Sequence, residues 1–317
     1  MSPRASRPTL RGVLDVVAAV LALVTATAFV PASPWPLELT THFRVQYATG
    51  FALLALIAAA MRRWKPVVLL VAGALVNAVV AASPASPGGV ADAAAPRLRV
   101  LFANVLRVNP AHVAGLEVIR AAAADVVVAA EVDAGWWEAL RTGLPDHRHT
   151  LAEPREDDFG IALLSRVALV RGEVVGLDDL DMPTVIAELP LGGGALTLVA
   201  THTIPPVGLA AFAERNAHLA ALARVARMAS GPALVLGDLN VTPWSPWFGR
   251  LLRDGGLRDS RVGFGLQASW PAGAWPLLRI PIDHALASPS LRVLDRRVGA
   301  AYGSDHLPIV VDVALAG

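Results

Sequence analysis

The sequence predicts a layered α/β sandwich preceded by three apolar helices. Three observations predict it: apolar runs confined to the first third, a stretch rich in Ser, Pro, Gly and Ala that closes that third, and short β-branched or apolar segments alternating with turns from residue 97 onward. Only 17% of the 317 residues are charged, against roughly 25% in an average soluble domain. The chain therefore holds more than a soluble domain.

The three runs are 13–30, 45–61 and 67–82. Each sits near the short end of a bilayer span, which takes about 20 residues and no fewer than about 17. Asp15, Gln46 and Asn77 interrupt them. A signal peptide followed by buried core helices is the competing reading, and three successive runs favour spans over it. Arg4, Arg7 and Arg11 precede the first run and Arg62, Arg63 and Lys65 separate the second from the third, whereas the first loop offers only Arg44. The positive-inside rule then places the amino terminus and the second loop in the cytoplasm, and three crossings place everything after residue 82 outside. The expected organisation is a multi-pass anchor in the cell membrane over 1–82, a flexible linker over 83–96 and an extracytoplasmic domain over 97–317.

Within that domain, segments 99–104, 125–131, 160–165, 184–189, 196–202, 233–238, 283–288 and 308–315 have strand length and character, so at least eight strands are expected. Segment 211–228 spaces Phe212, Leu219, Leu222 and Val225 with charged residues between them, as a helix lying on a sheet does, and 110–124 reads as another. The mixture predicts sheets covered by helices. Segments 142–158 and 255–281 carry no pattern that assigns them.

Composition excludes several chemistries. With no cysteine there is no disulfide, thiolate zinc site or cysteine nucleophile. The one lysine, Lys65, sits beside an apolar run, which removes a phosphate-loop or Schiff-base lysine. Residues 1–96 carry seven basic and three acidic side chains (+4) and residues 97–317 carry 20 and 23 (−3). The larger part thus lacks the positive excess by which a domain grips long nucleic acid.

Isolated polar residues fall at the ends of the apolar strands: Asn104, Glu131, His202, Asp238 with Asn240, Asp283, and Asp305 with His306. Any one of them could cap a helix or hold a turn, but strand ends are also where sites assemble in such sheets. The set offers carboxylates, amides and two histidines, with no serine-nucleophile motif. Hard oxygen ligands favour Mg²⁺, Mn²⁺ or Ca²⁺ over zinc. An ion that neutralises a phosphate, beside a histidine that titrates near neutral pH, suits attack of water on phosphorus.

The order Asn104, Glu131, His202, GDLN (237–240), IDH (282–284) and SDH (304–306) resembles the endonuclease/exonuclease/phosphatase family, whose members include DNase I-like nucleases, apurinic endonucleases, neutral sphingomyelinases and inositol polyphosphate 5-phosphatases. The resemblance covers residues 97–317, and a three-span anchor before such a domain resembles the membrane-bound bacterial branch. It implies a four-layered α/β sandwich of two mixed β-sheets flanked by helices, with a divalent-metal site at one rim. It further implies Glu131 as principal metal ligand, Asn104 as its partner and Asp305 as a second metal-side carboxylate. By the same resemblance His306 activates water, Asp283 orients it, Asp238 and Asn240 position the nucleophile and contact the phosphate, and His202 donates to a phosphate oxygen or the leaving group.

Other residues have blander readings. His284 alternates with Asp283 along its strand and is expected to pack behind the site. Asp133 and Glu138, beside Trp136 and Trp137, read as solvated surface, Trp244 and Trp247 as cover for the loop after Asn240 or as interfacial aromatics, and Trp270 and Trp275 as shapers of substrate access. The function expected is a membrane-anchored, metal-dependent phosphoesterase acting outside the membrane on a lipid-linked or small phosphorylated substrate, with the lipid bilayer as partner and nucleic acid not favoured. An extracellular nuclease of the same family and a non-catalytic surface binding protein that keeps the fold are the alternatives.

Overall fold

The computed structural model describes residues 9–31, 34–82 and 96–316, so the linker expected over 83–96 lies, apart from Pro96, outside the described residues. The chain divides into two compact units, before and after the Ala82/Ser83 boundary.

The first unit contains α1 (Leu10–Thr27), a short 3₁₀ segment (Leu37–Phe43) that runs into α2 (Arg44–Ala60), and α3 (Trp64–Ala81). The helices Leu10–Thr27, Leu37–Ala60 and Trp64–Ala81 are each long and apolar enough to cross a membrane. Phe51, Ala55, Ala58 and Leu70 form the core of this unit. Two of the polar interruptions, Asn77 and Asp15, find partners within it. Asn77 is fully buried, its Nδ2 donates to Thr25 Oγ1 (3.1 Å) and Gly73 O (3.0 Å), and its Oδ1 accepts from Arg44 (3.3 Å). Asp15 pairs with Arg63 at 3.0 Å. Internal partners of this kind are what an apolar surrounding requires of polar side chains.

The second unit has twelve strands among its described residues. In chain order these are β1 (Arg97–Asn104), β2 (Val126–Ala130), β3 (His149–Glu153), β4 (Ile161–Ser165), β5 (Arg171–Gly176), β6 (Pro183–Leu191), β7 (Gly194–His202), β8 (Ala233–Asp238), β9 (Arg258–Asp259), β10 (Asp283–Ala287), β11 (Leu291–Val298) and β12 (Ile309–Leu315). They form two mixed six-stranded sheets, ordered β11-β12-β1-β2-β4-β3 and β5-β6-β7-β8-β10-β9. Four helices join them: α4 (His112–Ala121), α5 (Ala134–Gly143), α6 (Leu209–Met228) and α7 (Pro246–Gly255).

Alternation along each strand builds the layers. In β1, Val100 and Phe102 point into the core between the sheets, where they meet Val185, Leu198 and Leu234, while Leu101 and Ala103 point outward to Leu116 and Ile119 of α4 and Trp136 and Leu140 of α5. In the second sheet, Leu198 and Leu234 face inward, and Val199 and Val235 face α6 and α7 through Leu219, Leu222, Phe248 and Leu251. The order is helix, sheet, sheet, helix, the four-layered sandwich expected.

All eight segments with strand character are strands. The remaining four, β3, β5, β9 and β11, lie at or next to sheet edges, where one face is wet and the apolar pattern is lost; β5 is almost wholly exposed. Two helices escaped the apolar pattern as well. Asp133 does not stand as solvated surface: it caps α5 by accepting from Trp136 N at 2.7 Å, and Trp136 is fully buried. Ser245 caps α7 in the same way through Trp247 N, with Pro246 in its first turn.

Gly237 in the GDLN segment is set by close approach. A Cβ there would lie 2.2 Å from Thr201 O on the parallel neighbour β7. Gly237→Ala is therefore expected to force β7 and β8 apart and destabilise this unit by more than about 3 kcal/mol. A shift in the denaturant midpoint of under half that would show that the neighbouring strand can give way.

Candidate active site

The sheet topology carries the sequence-predicted residues to one edge. β1 and β2 run parallel, with Asn104 opposite Ala130, so Asn104 and Glu131 emerge side by side. β7 and β8 run parallel with His202 opposite Asp238, and β10 returns antiparallel with Asp283 opposite Asp238. β12 starts beside the end of β1, which brings the preceding segment with Asp305 and His306 to the same edge.

The side chains then form a continuous chain of contacts. Asn104 Nδ2 donates to Glu131 Oε1 at 2.8 Å and to Asp238 Oδ2 at 3.3 Å, so one amide bridges the two sheets. Asp238 Oδ2 lies 3.5 Å from His202 Nε2 and 3.5 Å from His306 Nε2. His306 Nδ1 is 2.9 Å from Asp283 Oδ2. His202 Nδ1 donates to the carbonyl of Asp158 at 2.8 Å, which leaves Nε2 facing Asp238 and Asn240. Asn240 Nδ2 donates to Thr203 O at 2.7 Å, and its backbone N donates to Asp238 Oδ1 at 3.1 Å. Asp305 stands to one side: its Oδ2 accepts from Trp270 Nε1 at 3.0 Å, and the Trp270 ring centre lies 6.4 Å from that of His306.

Glu131 and Asn240 both adopt left-handed backbone conformations, with φ of 59° and 46°. Residues with a Cβ rarely do so, and such strain persists only where surrounding contacts enforce it. At Asn240 the enforcing contact is Arg215, fully buried on α6, whose Nη1 donates to Asn240 O at 2.7 Å. Arg215 was not among the sequence candidates. The signal was present: Arg215 and Asn216 fall on the same stripe as Phe212, Leu219 and Leu222, where a charge is out of place. Ser304 and Tyr302 were missed too. Their hydroxyls donate to Asn104 O at 2.7 and 2.6 Å, and Ser304 Oγ accepts from His306 N at 3.0 Å, which ties the His306 segment to the end of β1.

Electrostatics follow from burial and pairing. Burial alone would lower the proton affinity of His306, but Asp283 and Asp238 outweigh it and raise the pKa well above the ordinary imidazole value. Burial would push the Asp283 carboxyl up, and the charge and hydrogen bond of His306 outweigh that and hold it down. Asp238 is raised, because its desolvation exceeds the help it receives from the same histidine.

Ligand atoms of Asp238, Asp283 and His306 lie within 4.8 Å of one another. We read this trio as a hydrogen-bonded Asp–His–Asp array rather than a ligand set, because each ring nitrogen of His306 already faces a carboxylate. A hard divalent cation fits the other half of the site better. Glu131 is largely buried, its described partners are the neutral donors Asn104 Nδ2 and Arg107 N, and among the described residues no cationic side chain pairs with it. Glu131, the Asn104 amide oxygen after rotation, and Asp238 are oxygen donors of the kind such a cation selects.

His284 does pack behind the site. It is fully buried, Nε2 lies 2.7 Å from Val241 O, and Phe248 lies over it at 4.7 Å between ring centres. Burial depresses its pKa from 6.5 to about 4. An unfolded chain therefore binds this proton at pH values where the folded one does not, so His284 lowers stability progressively as pH falls from 6.5 to about 4. The full loss is about 3 kcal/mol, while the raised Asp238 acts in the opposite direction over part of the range. The comparison between variants isolates the histidine. His284→Gln is expected to reduce the acid loss of unfolding free energy between pH 7 and 4 by about that amount, read by tryptophan fluorescence on the detergent-solubilised chain. Parallel curves for variant and wild type would refute it.

A sequence profile of the Endonuclease/Exonuclease/phosphatase family matches residues 92–306. Among solved structures, an endonuclease/exonuclease/phosphatase from Beutenbergia cavernae DSM 12333 is 24% identical, with 70% of this chain and 72% of that chain covered and a TM-score of 0.54. One from Bacteroides vulgatus is 21% identical, covering 69% of this chain and 99% of its own at a TM-score of 0.60. Sphingomyelinase C from Streptomyces griseocarneus is 20% identical, covering 69% and 99% at a TM-score of 0.51. At these identities the likeness is one of fold. No curated protein matches the chain.

Proposed function

The chain belongs to the endonuclease/exonuclease/phosphatase family, a family of divalent-metal-dependent hydrolases of phosphate esters, and from that premise we propose a membrane-anchored phosphoesterase that acts on lipid-linked phosphates or phospholipid headgroups at the outer face of the membrane. One observation carries the chemistry: His306 lies between Asp283 and Asp238, and the Asn104 amide links Asp238 to Glu131. Support for the substrate class comes from three helices long and apolar enough to cross a membrane, from the −3 charge of residues 97–317, and from a 14-residue linker over 83–96. The arginines around the apolar runs support an orientation with the second unit outside.

A divalent cation bound by Glu131 with Asn104 would neutralise the phosphate and stabilise negative charge on its oxygens as water attacks. The protein's own groups do the rest. His306 Nε2 takes the proton of the attacking water, and Asp283 on Nδ1 fixes the tautomer and stabilises the imidazolium that forms. Asp238 and Asn240 hold that water in line. His202, oriented by the Asp158 carbonyl, presents Nε2 to a phosphate oxygen or the leaving group. Asp305, whose Oδ1 is buried without a hydrogen-bond partner, adds negative charge beside His306.

The test is a panel of lipid-linked phosphates, phospholipids, soluble phosphate esters and plasmid DNA, assayed with Mg²⁺, Mn²⁺ and Ca²⁺ on the reconstituted full chain. Turnover of lipid phosphates is expected to exceed turnover of DNA. Rapid cleavage of plasmid with no action on lipid would replace the substrate reading by a nuclease, and no turnover of any phosphate ester would favour a binding protein.

A further inference from the structure

Nine large apolar side chains stand exposed among the described residues of the second unit, and strand direction places seven of them at the edge that carries the candidate site. β1 and β7 both run toward that edge. The segments that leave their ends expose Val108 and Val113 in one case and Val207 and Leu209 in the other. β10 begins at the same edge with Asp283, and the segment leading into it exposes Trp275, Pro276, Leu277 and Leu278 in succession. Of the other two, Val170 follows β4 and Met228 ends α6, and both elements run away from the site.

Trp275 is 81% exposed, Leu277 57% and Leu278 59%. Folding does not reward four consecutive apolar residues held in water, so such a run marks a surface with a partner. The tip is firmly built. Arg279 ties it back through Ala272 O (2.8 Å) and Ala274 O (2.9 Å), while Ala272 N donates to Asp305 O (2.7 Å) and Leu307 N to Ser269 O (2.9 Å). The same segment thus carries the apolar tip and braces the residues on either side of His306.

We propose that Trp275, Leu277 and Leu278 dock this edge onto a lipid bilayer, immersing in the interfacial layer so that His306 faces the headgroups. The occupant is the membrane to which the chain's own apolar helices belong. Tryptophan and leucine suit the interface between headgroup and acyl chain, and no carboxylate between Ser260 and Ile282 opposes it. Reach is sufficient. The linker joins β1 at its far end, and the eight residues of β1 span about 26 Å, whereas 14 residues of extended linker cover at most about 50 Å. The docking deepens the lipid-phosphate reading and depends on it only for the identity of the substrate.

The absence of cysteine makes the test direct. Leu277→Cys and, as the far-edge control, Met228→Cys are each labelled with an environment-sensitive fluorophore on the full chain, reconstituted in vesicles of phosphatidylcholine and phosphatidylglycerol containing doxyl-labelled lipid. The label at 277 is expected to shift to the blue and be quenched strongly, and the label at 228 to remain as in buffer. In parallel, Leu277→Ser with Leu278→Ser is expected to lose about 100-fold in kcat/KM on a vesicle-borne phosphodiester, since each leucine removed from an apolar phase counts for about tenfold, and to keep its rate on soluble bis(p-nitrophenyl) phosphate. Equal quenching at 277 and 228, or an equal loss on both substrates, overturns the docking. Strong quenching at 277 with no lipid phosphoester hydrolysed leaves the docking standing and refutes the substrate reading alone.

Discussion

His306→Gln is expected to lower kcat on any phosphate ester the chain hydrolyses by about 10²- to 10⁴-fold, the range a positioned general base supplies. KM should move far less. Glutamine keeps a polar side chain near Asp283 but has no nitrogen that takes a proton near neutral pH. The surrounding charges make a further, signed expectation. Asp283 and Asp238 raise the proton affinity of His306, so the acid limb of the pH–rate profile should lie above the ordinary imidazole value. Asp283→Asn removes the carboxylate 2.9 Å from Nδ1, so the limb should move to lower pH while the plateau rate falls, since the ring loses the partner that stabilises its cation. Profiles measured at saturating metal decide it. A His306→Gln variant within about tenfold of wild type, only 1.4 kcal/mol in barrier, would remove His306 from the chemistry, and an unmoved limb in Asp283→Asn would show that another group titrates.

Fold and site were legible in the sequence to different depths. The strands read well are those buried on both faces, such as Val126–Ala130 and Ala233–Asp238. Their continuous apolar runs can hardly be anything else in a chain punctuated by turns. β5 and β11 have one wet face, and their Arg, Glu and Asp residues mask the alternation. The α5 and α7 helices carry their start signals in a single capping residue each, Asp133 and Ser245, which resembles loop composition until the buried Trp136 and Phe248 are seen to follow three residues later. Strand-end polar residues were legible because parallel strands deliver their ends to one edge, whatever their separation in sequence. What was not legible is support that acts through the backbone. Arg215 holds a carbonyl, as do Ser304 and Tyr302. Carbonyls leave no trace in the sequence, so their partners are found only as polar residues in apolar places.

Glu131→Gln should separate the metal from the rest of the machinery, and its effect is expected to appear without turnover. In the metal-free chain Glu131 adds a carboxylate to an edge already holding Asp238, Asp283 and Asp305, balanced from within by His306. The glutamine variant is nearly isosteric, can keep the bond with Asn104 Nδ2 through its amide oxygen, and removes one negative charge from that cluster. Without metal it should therefore melt no lower than wild type, a common relation between stability and a charged site. With metal the order reverses. At a concentration of about 100 times the wild-type Kd, binding stabilises the wild type by about 2.7 kcal/mol; if the substitution weakens binding about 100-fold, the same concentration stabilises the variant by only about 0.4 kcal/mol. Activity should fall by several orders of magnitude, since the charge that offsets phosphate repulsion is lost with the ion. Thermal melts with and without Mn²⁺ or Mg²⁺, before and after chelation, read this directly. An undiminished metal-induced rise in Tm in Glu131→Gln would place the ion elsewhere along the edge, with the Asp238, Asp283 and His306 array as the remaining ligand set.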